Sequence, residues 1–397
     1  MHPADEIREI KSKRLTNKRI VLAVTGSIAA VETIKLSREL IRHGAEVIPI
    51  MTPSSIKIVH PDALWFATGI EPITELTGKT EHIFFCGLVK DKVDLLLICP
   101  CTANTISKIA HGIDDTVVTT FTTTAIGSGV LILVVPAMHL SMYNHKIVQE
   151  NIEQCKKLGI KFIEPIIEKN RTRIAEVNEI ISYVFRETGK QDFLRKKILI
   201  IGGPTAESID DVRLITNKSS GKTAIELAKN AFYRGGDVEL WYGTGREIPP
   251  NFINVKNFES INDLLELVKK NDLKKYDIIL ICAALSDYIP KKQKGKIPSG
   301  KDKLIIEMSP AQKIISKLRD KAPNSKIIGF KVEAKKDKLH ERALNLLKNS
   351  NLDFVVGNTT SGFNTDENEI WIINKNGKSY HKKGNKGDLA DYVLDIL

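Results

Sequence analysis

Short, largely apolar runs recur along this chain. Each ends in small or hydroxyl-bearing residues and leads into a segment of helical period. RIVLAVT (19–25), residues 46–51, 93–98 and 130–135 read as buried strands, and a helix over 27–42, stopped by Gly44, separates the first two. The same signal returns at KILII (197–201), 238–242 and DIILICAA (277–284), with helical period over 223–233. Runs apolar at every position, rather than at alternate ones, belong to strands covered on both faces, as in parallel sheets. The repeated βα rhythm places the chain in the α/β class. Ligands in such folds bind beyond the carboxyl ends of the strands.

At 397 residues the chain holds two domains of ordinary size. A helical pattern over 173–186 is broken by Glu187-Thr-Gly-Lys-Gln-Asp, so the join is expected near residue 190. That division gives an N-terminal extension over 1–17, one α/β domain over 18–188 and a second over 189–397. No internal repeat links the halves. A strand assignment for 370–373 and an amphipathic helix over 387–397 close the second domain.

Composition narrows the class further. Forty-two per cent apolar and 27% charged residues are globular proportions. No apolar run nears the roughly 18 residues that span a bilayer, and the opening MHPADEIREIKSKR has no signal-peptide core. A cytoplasmic protein with no membrane partner is expected. Cys86, Cys99, Cys101, Cys155 and Cys282 form no CxxC pair, so a structural zinc site is not expected. The net charge of +11 is spread along the chain, and aromatics are only 6%. A basic pocket for phosphorylated substrates accounts for that sign, and no nucleic-acid partner is expected.

Four loops follow strands of the first half: Gly26-Ser27-Ile28, Thr52-Pro53-Ser54, Thr102-Ala103-Asn104 and Pro136-Ala-Met138-His139. Three of them carry hydroxyls just ahead of a helix. Singly, Ser27, Ser54 and Thr102 are ordinary N-cap residues. Converging on one sheet edge, they suit a ligand that carries phosphate. In the second half Gly202 and Gly203 leave a strand, and Ser219-Ser220-Gly221 offers free amides where a helix begins. Arg213, Asn217 and Lys222 place a guanidinium, an amide and an ammonium within ten residues. Neither half holds a GxGxxG string, which disfavours a dinucleotide-dependent dehydrogenase.

GSIAA (26–30), CPCTANTISKIAHGIDD (99–115) and PAMHLSMY (136–143) resemble the motifs of flavin-dependent cysteine decarboxylases with a flavodoxin-like fold. The resemblance covers residues 18–170. It implies FMN bound by Gly26, Ser27, Ile28, Thr52, Ser54, Thr102, Ala103, Asn104 and Met138, with His82 as the catalytic base. Direct loss of CO₂ from an acylated cysteine leaves a carbanion with no acceptor; oxidation of the thiol to a thioaldehyde provides one, and this is what FMN supplies. Two departures stand out. The family's Asn after PxM is His139 here, a second catalytic candidate able to bind a carboxylate and to donate a proton. The family's flap, with its proton-donating cysteine, is replaced by EPIIEKNRTRI (164–174), which holds no cysteine and no glycine. Arg171 or Arg173 would hold this flap over substrate, while Cys155, in the preceding helix, reads as a packing residue.

The string DxVRxIxNxSSGK (210–222) resembles the signature of phosphopantothenate–cysteine ligases, the second half of bifunctional coenzyme A biosynthesis proteins. AALSDY (283–288), GKI (295–297), GFKVE (329–333) and GN (357–358) with GFNTD (362–366) extend the match in order. The fold expected is a second, Rossmann-like α/β domain. The activity implied is CTP-dependent joining of 4'-phosphopantothenate to cysteine through an acyl-cytidylate, followed by decarboxylation to 4'-phosphopantetheine in the first domain. CTP and substrate would be held by Gly203, Arg213, Asn217, Ser219, Ser220, Gly221, Lys222, Ala284, Asp287, Lys296, Phe330, Lys331 and Asn358. Asn217 and Lys296 are the catalytic candidates there, Asp287 the Mg²⁺ ligand, and Phe363 a loop-packing residue. The resemblance further implies a homo-oligomer, trimers of the first domain joined by dimers of the second into a dodecamer. The altered flap leaves a second reading open: a flavin-binding regulatory or scaffold protein whose decarboxylase half is inactive while its ligase half works.

Overall fold

The computed structural model describes residues 2–168, 171–300, 302–362 and 365–397. The chain divides into two compact units, the first ending at Gly189 and the second running from Lys190 to Leu397. Phe363 and Asn364 lie outside the described residues, as does the side chain of Arg171.

In the first unit, β1 (Arg19–Val24), β2 (Glu46–Met51), β3 (Leu95–Cys101), β4 (Leu131–Pro136) and β5 (Lys161–Phe162) form one parallel sheet in the order β2-β1-β3-β4-β5. This is the flavodoxin order, with its switch point between β1 and β3. Every residue of β3 is buried, as a central strand covered by helices on both faces requires. Val21, Ile48, Ile98, Phe121 and Val134 belong to the core packed on this sheet. Each such side chain contributes about 1.5–3 kcal/mol by leaving water.

The helix expected over 27–42 forms in two pieces. A 3₁₀ turn spans Ile28–Glu32, and the α-helix runs Thr33–Arg42. The tighter turn starts at Ser27, whose hydroxyl accepts the Ala29 amide at 3.4 Å. The residues ahead of β1 are packed rather than trailing. Ala4 and Leu15 are fully buried, and the Lys11 and Leu15 amides donate to the carbonyls of Arg42 (3.0 Å) and His43 (2.8 Å). The 164–174 segment contains an antiparallel ribbon, β6 (Ile166–Glu168) with β7 (Arg171–Arg173). The helix expected from 173 therefore begins later, at Val177, and runs to Thr188.

In the second unit, β8 (Lys197–Gly202), β11 (Asp237–Tyr242), β12 (Asn254–Asn257), β13 (Ile278–Ile281), β16 (Lys326–Glu333), β17 (Phe354–Thr359), β18 (Glu367–Asn374) and β19 (Ser379–Asn385) form one sheet, where β9 (Ala206–Ser208) with β10 (Leu214–Thr216), and β14 (Tyr288–Pro290) with β15 (Met308–Pro310), are separate small ribbons. The order is β12-β11-β8-β13-β16-β17-β18-β19. The first six strands are parallel and follow the Rossmann order, with the switch point between β8 and β13. The last two are antiparallel, so the sheet is mixed, a feature absent from the sequence expectation. Helix Lys222–Tyr233 follows β8, and the closing helix Lys386–Ile396 packs against it.

Candidate active sites

In the first unit a cleft of about 470 Å³ opens at the carboxyl edge of the sheet. Gly26, Ser27, Thr52, Ser54, Thr102, Ala103, Asn104 and Met138 line it together. The hydroxyls also do local work. Thr52 and Thr102 cap their helices by accepting the amides of Ser55 and Thr105, each at 3.3 Å. A Cβ built on Gly26 would stand 2.5 Å from Ser54 Cβ, so only glycine lets these two loops meet. Lys108 and Thr116 line the same cleft; Lys108 pairs with Asp115 at 2.6 Å. Lys108 stands inside the TANTISK string, which displayed it, but spacing alone gave no reason to choose it. A lining that combines hydroxyls and an ammonium with Ala137, Met138 and Met142 fits a cofactor with an apolar ring system and a phosphate.

Ile28 and His139 line an adjoining cleft of about 970 Å³, which shares Ser27, Ala137 and Met138 with the first. His139 Nδ1 lies 2.9 Å from Ser141 Oγ and accepts the Ser141 amide at 3.3 Å, so this histidine also caps a short helical turn. The β6–β7 ribbon reaches the cleft. Thr172 donates to the Met138 carbonyl, and Arg173 is among the lining residues. Lys11, from the packed N-terminal segment, joins the wall. Cys99 does too, and burial pushes its thiol well up. Cys155 is buried, with its Sγ 3.8 Å from the Ile106 carbonyl.

His82 lines neither cleft. It sits on helix Glu81–Cys86, its ring edge-to-face with Phe121, and its Nδ1 is buried with no hydrogen-bond partner among the described residues. Ile83, Phe84 and Leu88 beside it are exposed apolar side chains.

The second unit holds a pocket at the β8/β13 switch point. Gly203, Ser219, Ser220, Gly221, Lys222, Ala284, Phe330 and Asn358 line it, all of them expected from sequence. Gly221 has φ +84°, and a Cβ there would fall 2.0 Å from Tyr242 Oη. The absent side chain lets Tyr242 donate to the Ser220 carbonyl at 3.1 Å and shape the loop ahead of the helix. Lys222 pairs with Asp366. Sequence reading missed Asn368 and Lys386, which line the pocket from the antiparallel strands and the closing helix. Nothing in their spacing marks them, because the antiparallel addition is what brings them to the switch point.

The remaining candidates lie outside that lining. Asn217 donates to the Ala284 carbonyl at 2.8 Å, tying the signature loop to the end of β13. Arg213, expected as an anion grip, is engaged inside the fold: its guanidinium donates to Asp210 at 2.9 Å and to the Ile297 carbonyl at 3.1 Å. Asp210 also accepts the amides of Val212 (2.8 Å), Arg213 (2.6 Å) and Ile297 (3.0 Å). These bonds, the Ile297 amide foremost, hold its carboxyl down at about 2. Lys296 is exposed on the loop so anchored. Lys331 alternates with the lining residues Phe330 and Val332 and pairs with Glu333 at 3.4 Å, so the structure does not bring it into the pocket. Asp287 is exposed and paired with Lys313 at 2.8 Å. Among the described residues no group of three His, Cys, Asp or Glu side chains is placed to hold a metal ion.

A flavodoxin-order sheet with a hydroxyl-lined edge, joined to a Rossmann-order domain with its own switch-point pocket, defines a two-site α/β protein. Residues 8–189 match the family model described as Flavoprotein, and residues 193–397 match the DNA/pantothenate metabolism flavoprotein C-terminal domain. The coenzyme A biosynthesis bifunctional protein CoaBC of Thermococcus kodakarensis is 42% identical over 401 residues, covering 100% of this chain and 99% of the relative. That of Methanocaldococcus jannaschii is 39% identical over 406 residues, covering 100% and 97%. A crystal structure of the C-terminal domain of a CoaBC protein is 29% identical, covering 52% of this chain and 96% of that one, with a TM-score of 0.45. The chain belongs to the family of bifunctional coenzyme A biosynthesis proteins. Among the described residues no helix is long and apolar enough to cross a membrane.

Proposed function

We propose that the second unit joins 4'-phosphopantothenate to cysteine using CTP, and that the first decarboxylates the product to 4'-phosphopantetheine. What carries this reading is the pair of pockets, each assembled from its motif residues, in a chain that aligns end to end with bifunctional relatives. That end-to-end match does not favour the scaffold alternative.

In the second unit a carboxylate must first acquire a leaving group. Attack of the phosphopantothenate carboxylate on the α-phosphate of CTP expels pyrophosphate; the cysteine amine then displaces CMP from the acyl-cytidylate. Ser220 and Gly221 offer amides to the nucleotide at a helix start, whereas the Ser219 amide, expected free from sequence, donates to the Asn217 carbonyl at 2.8 Å. Asn217 holds the acyl-cytidylate at the edge set by Ala284, and Lys296 closes over the departing pyrophosphate from its anchored loop. Lys222 meets the nucleotide once Asp366 releases it. Asp287 would hold Mg²⁺, and because it is a single carboxylate, phosphate oxygens and water would supply the other ligands.

In the first unit FMN, when bound, would supply the two-electron acceptor for thiol oxidation and, after CO₂ has left, return those electrons to the enethiol, so that the product is again a thiol. The Ser27, Thr52, Ser54 and Thr102 loops would hold its phosphate, and Met138 would lie against its ring system. His139 binds the substrate carboxylate in the adjoining cleft, and the Thr172–Met138 hydrogen bond seats the flap ribbon above it. His82 is the base for substrate oxidation. Because it lies off its own chain's clefts among exposed apolar residues, a trimer of first units would deliver it to a neighbour's cleft. The test is the purified protein's chromophore and its action on supplied phosphopantothenoylcysteine. FMN with release of CO₂ is expected; FAD, or no flavin after reconstitution, counts against the first-unit assignment. CTP should outperform ATP at matched Mg²⁺.

A further inference from the structure

The first helical residue of Lys222–Tyr233 and of Lys386–Ile396 is in each case a lysine, and both lysines line the second-unit pocket. A helix start carries partial positive charge and favours anions, so a cation there works against the dipole. Lys222 is relieved by Asp366; Lys386 is not. Lys386 is only 7% exposed, and no carboxylate among the described residues lies within ion-pairing distance of its ammonium. Asp366 and Glu247 act on it only from farther away, while Lys222 repels it. Desolvation foremost, with that repulsion, pulls its pKa below the ordinary lysine value.

Three unfavourable terms therefore meet on one side chain: burial, a neighbouring cation and a helix N-terminus. Packing gives no reason to keep a charge there, since a methionine would fill the same space. An anionic ligand removes all three at once.

We propose that Lys386 is a phosphate-binding residue of this pocket, gripping the nucleotide's phosphate oxygens opposite Ser219–Lys222. This rests on the reading of the second unit as a CTP-dependent ligase. The lysine lies outside every motif of that reading and sits at the far end of the chain from the signature, so the closing helix completes the anion site. The residue touches ligand, and its charge is what binds.

The test is calorimetric binding of CTP and of cytidine to the full-length protein and to Lys386→Met, beside thermal melting without ligand. Failure of the wild-type protein to bind CTP would remove the ligase reading itself. With wild-type binding in hand, Lys386→Met should weaken CTP at least tenfold, leave cytidine within about twofold, and melt no lower than wild type, because an uncompensated buried charge is gone. Equal CTP affinity, or parallel losses for CTP and cytidine, overturns the proposal. Should the methionine variant fail to fold, Lys386→Arg decides. It keeps the charge and should hold CTP within about threefold; a larger loss with intact folding overturns the proposal.

Discussion

The carboxylate of Asp210 accepts the backbone amide of Ile297 at 3.0 Å, across 87 positions of sequence. The neighbouring Asp211 accepts the Gly295 amide at 2.9 Å and pairs with Lys292 at 3.0 Å. Two adjacent acids of the signature thus fasten the loop that presents Lys296. Arg213 completes the clasp instead of reaching for an anion.

Replacing Asp210 should therefore injure catalysis from a distance. Asp210→Ala strips a partner from the amides of Val212, Arg213 and Ile297 and from the Arg213 guanidinium. Ligation should fall more than tenfold, and decarboxylation of supplied phosphopantothenoylcysteine should be unchanged. Parallel assays of the two half-activities check this. Full ligase activity would mean that Lys296 needs no clasp.

Asn217→Asp puts a negative charge where an amide faces the Ala284 carbonyl at 2.8 Å. Ligase turnover should drop at least tenfold with decarboxylation intact. Equal loss of both activities would show that the units do not work independently.

Gly26→Val introduces atoms where even a Cβ would lie 2.5 Å from Ser54 Cβ. The variant should purify colourless, and its ligase rate should match wild type. Retained flavin absorbance would remove the Gly26–Ser54 approach from the cofactor site.

His43 gives the first unit an acid limit. Its ring is buried against Phe185 at 4.9 Å and sits 2.7 Å from Ser12 Oγ, and burial lowers its pKa to about 4. The unfolded chain, with an ordinary histidine pKa near 6.5, binds the proton more readily than the folded one. Stability should thus decline as pH falls from about 6.5 towards 4. Urea melts across that range should show the decline, and His43→Phe should flatten it.

Much of this was legible because the sequence writes parallel strands plainly. The runs at β1, β8 and β13 are apolar on both faces, and the loops after them carry the residues that line both pockets. Other features were hidden for definite reasons. Lys331 sits in a recognisable motif, but the pleat of β16 turns it away from Phe330. Arg213 has the right chemistry for an anion, yet Asp210 three residues earlier engages it first. The strand at 370–373 and the closing helix were legible, but Lys386 and Asn368 reach the pocket through the antiparallel pairing of β17, β18 and β19, which the sequence does not announce. Residues 1–17 look like a charged tail, but Ala4 near its start and Leu15 near its end are both buried.

The central claim, two sequential reactions on one chain, is tested most directly by mass analysis of products. The purified protein would be incubated with 4'-phosphopantothenate, cysteine, CTP and Mg²⁺. The expected result is 4'-phosphopantetheine with CMP, pyrophosphate and CO₂, and phosphopantothenoylcysteine only as a transient. Phosphopantothenoylcysteine accumulating as the final product from flavin-loaded protein, or CTP left unconsumed, would contradict it.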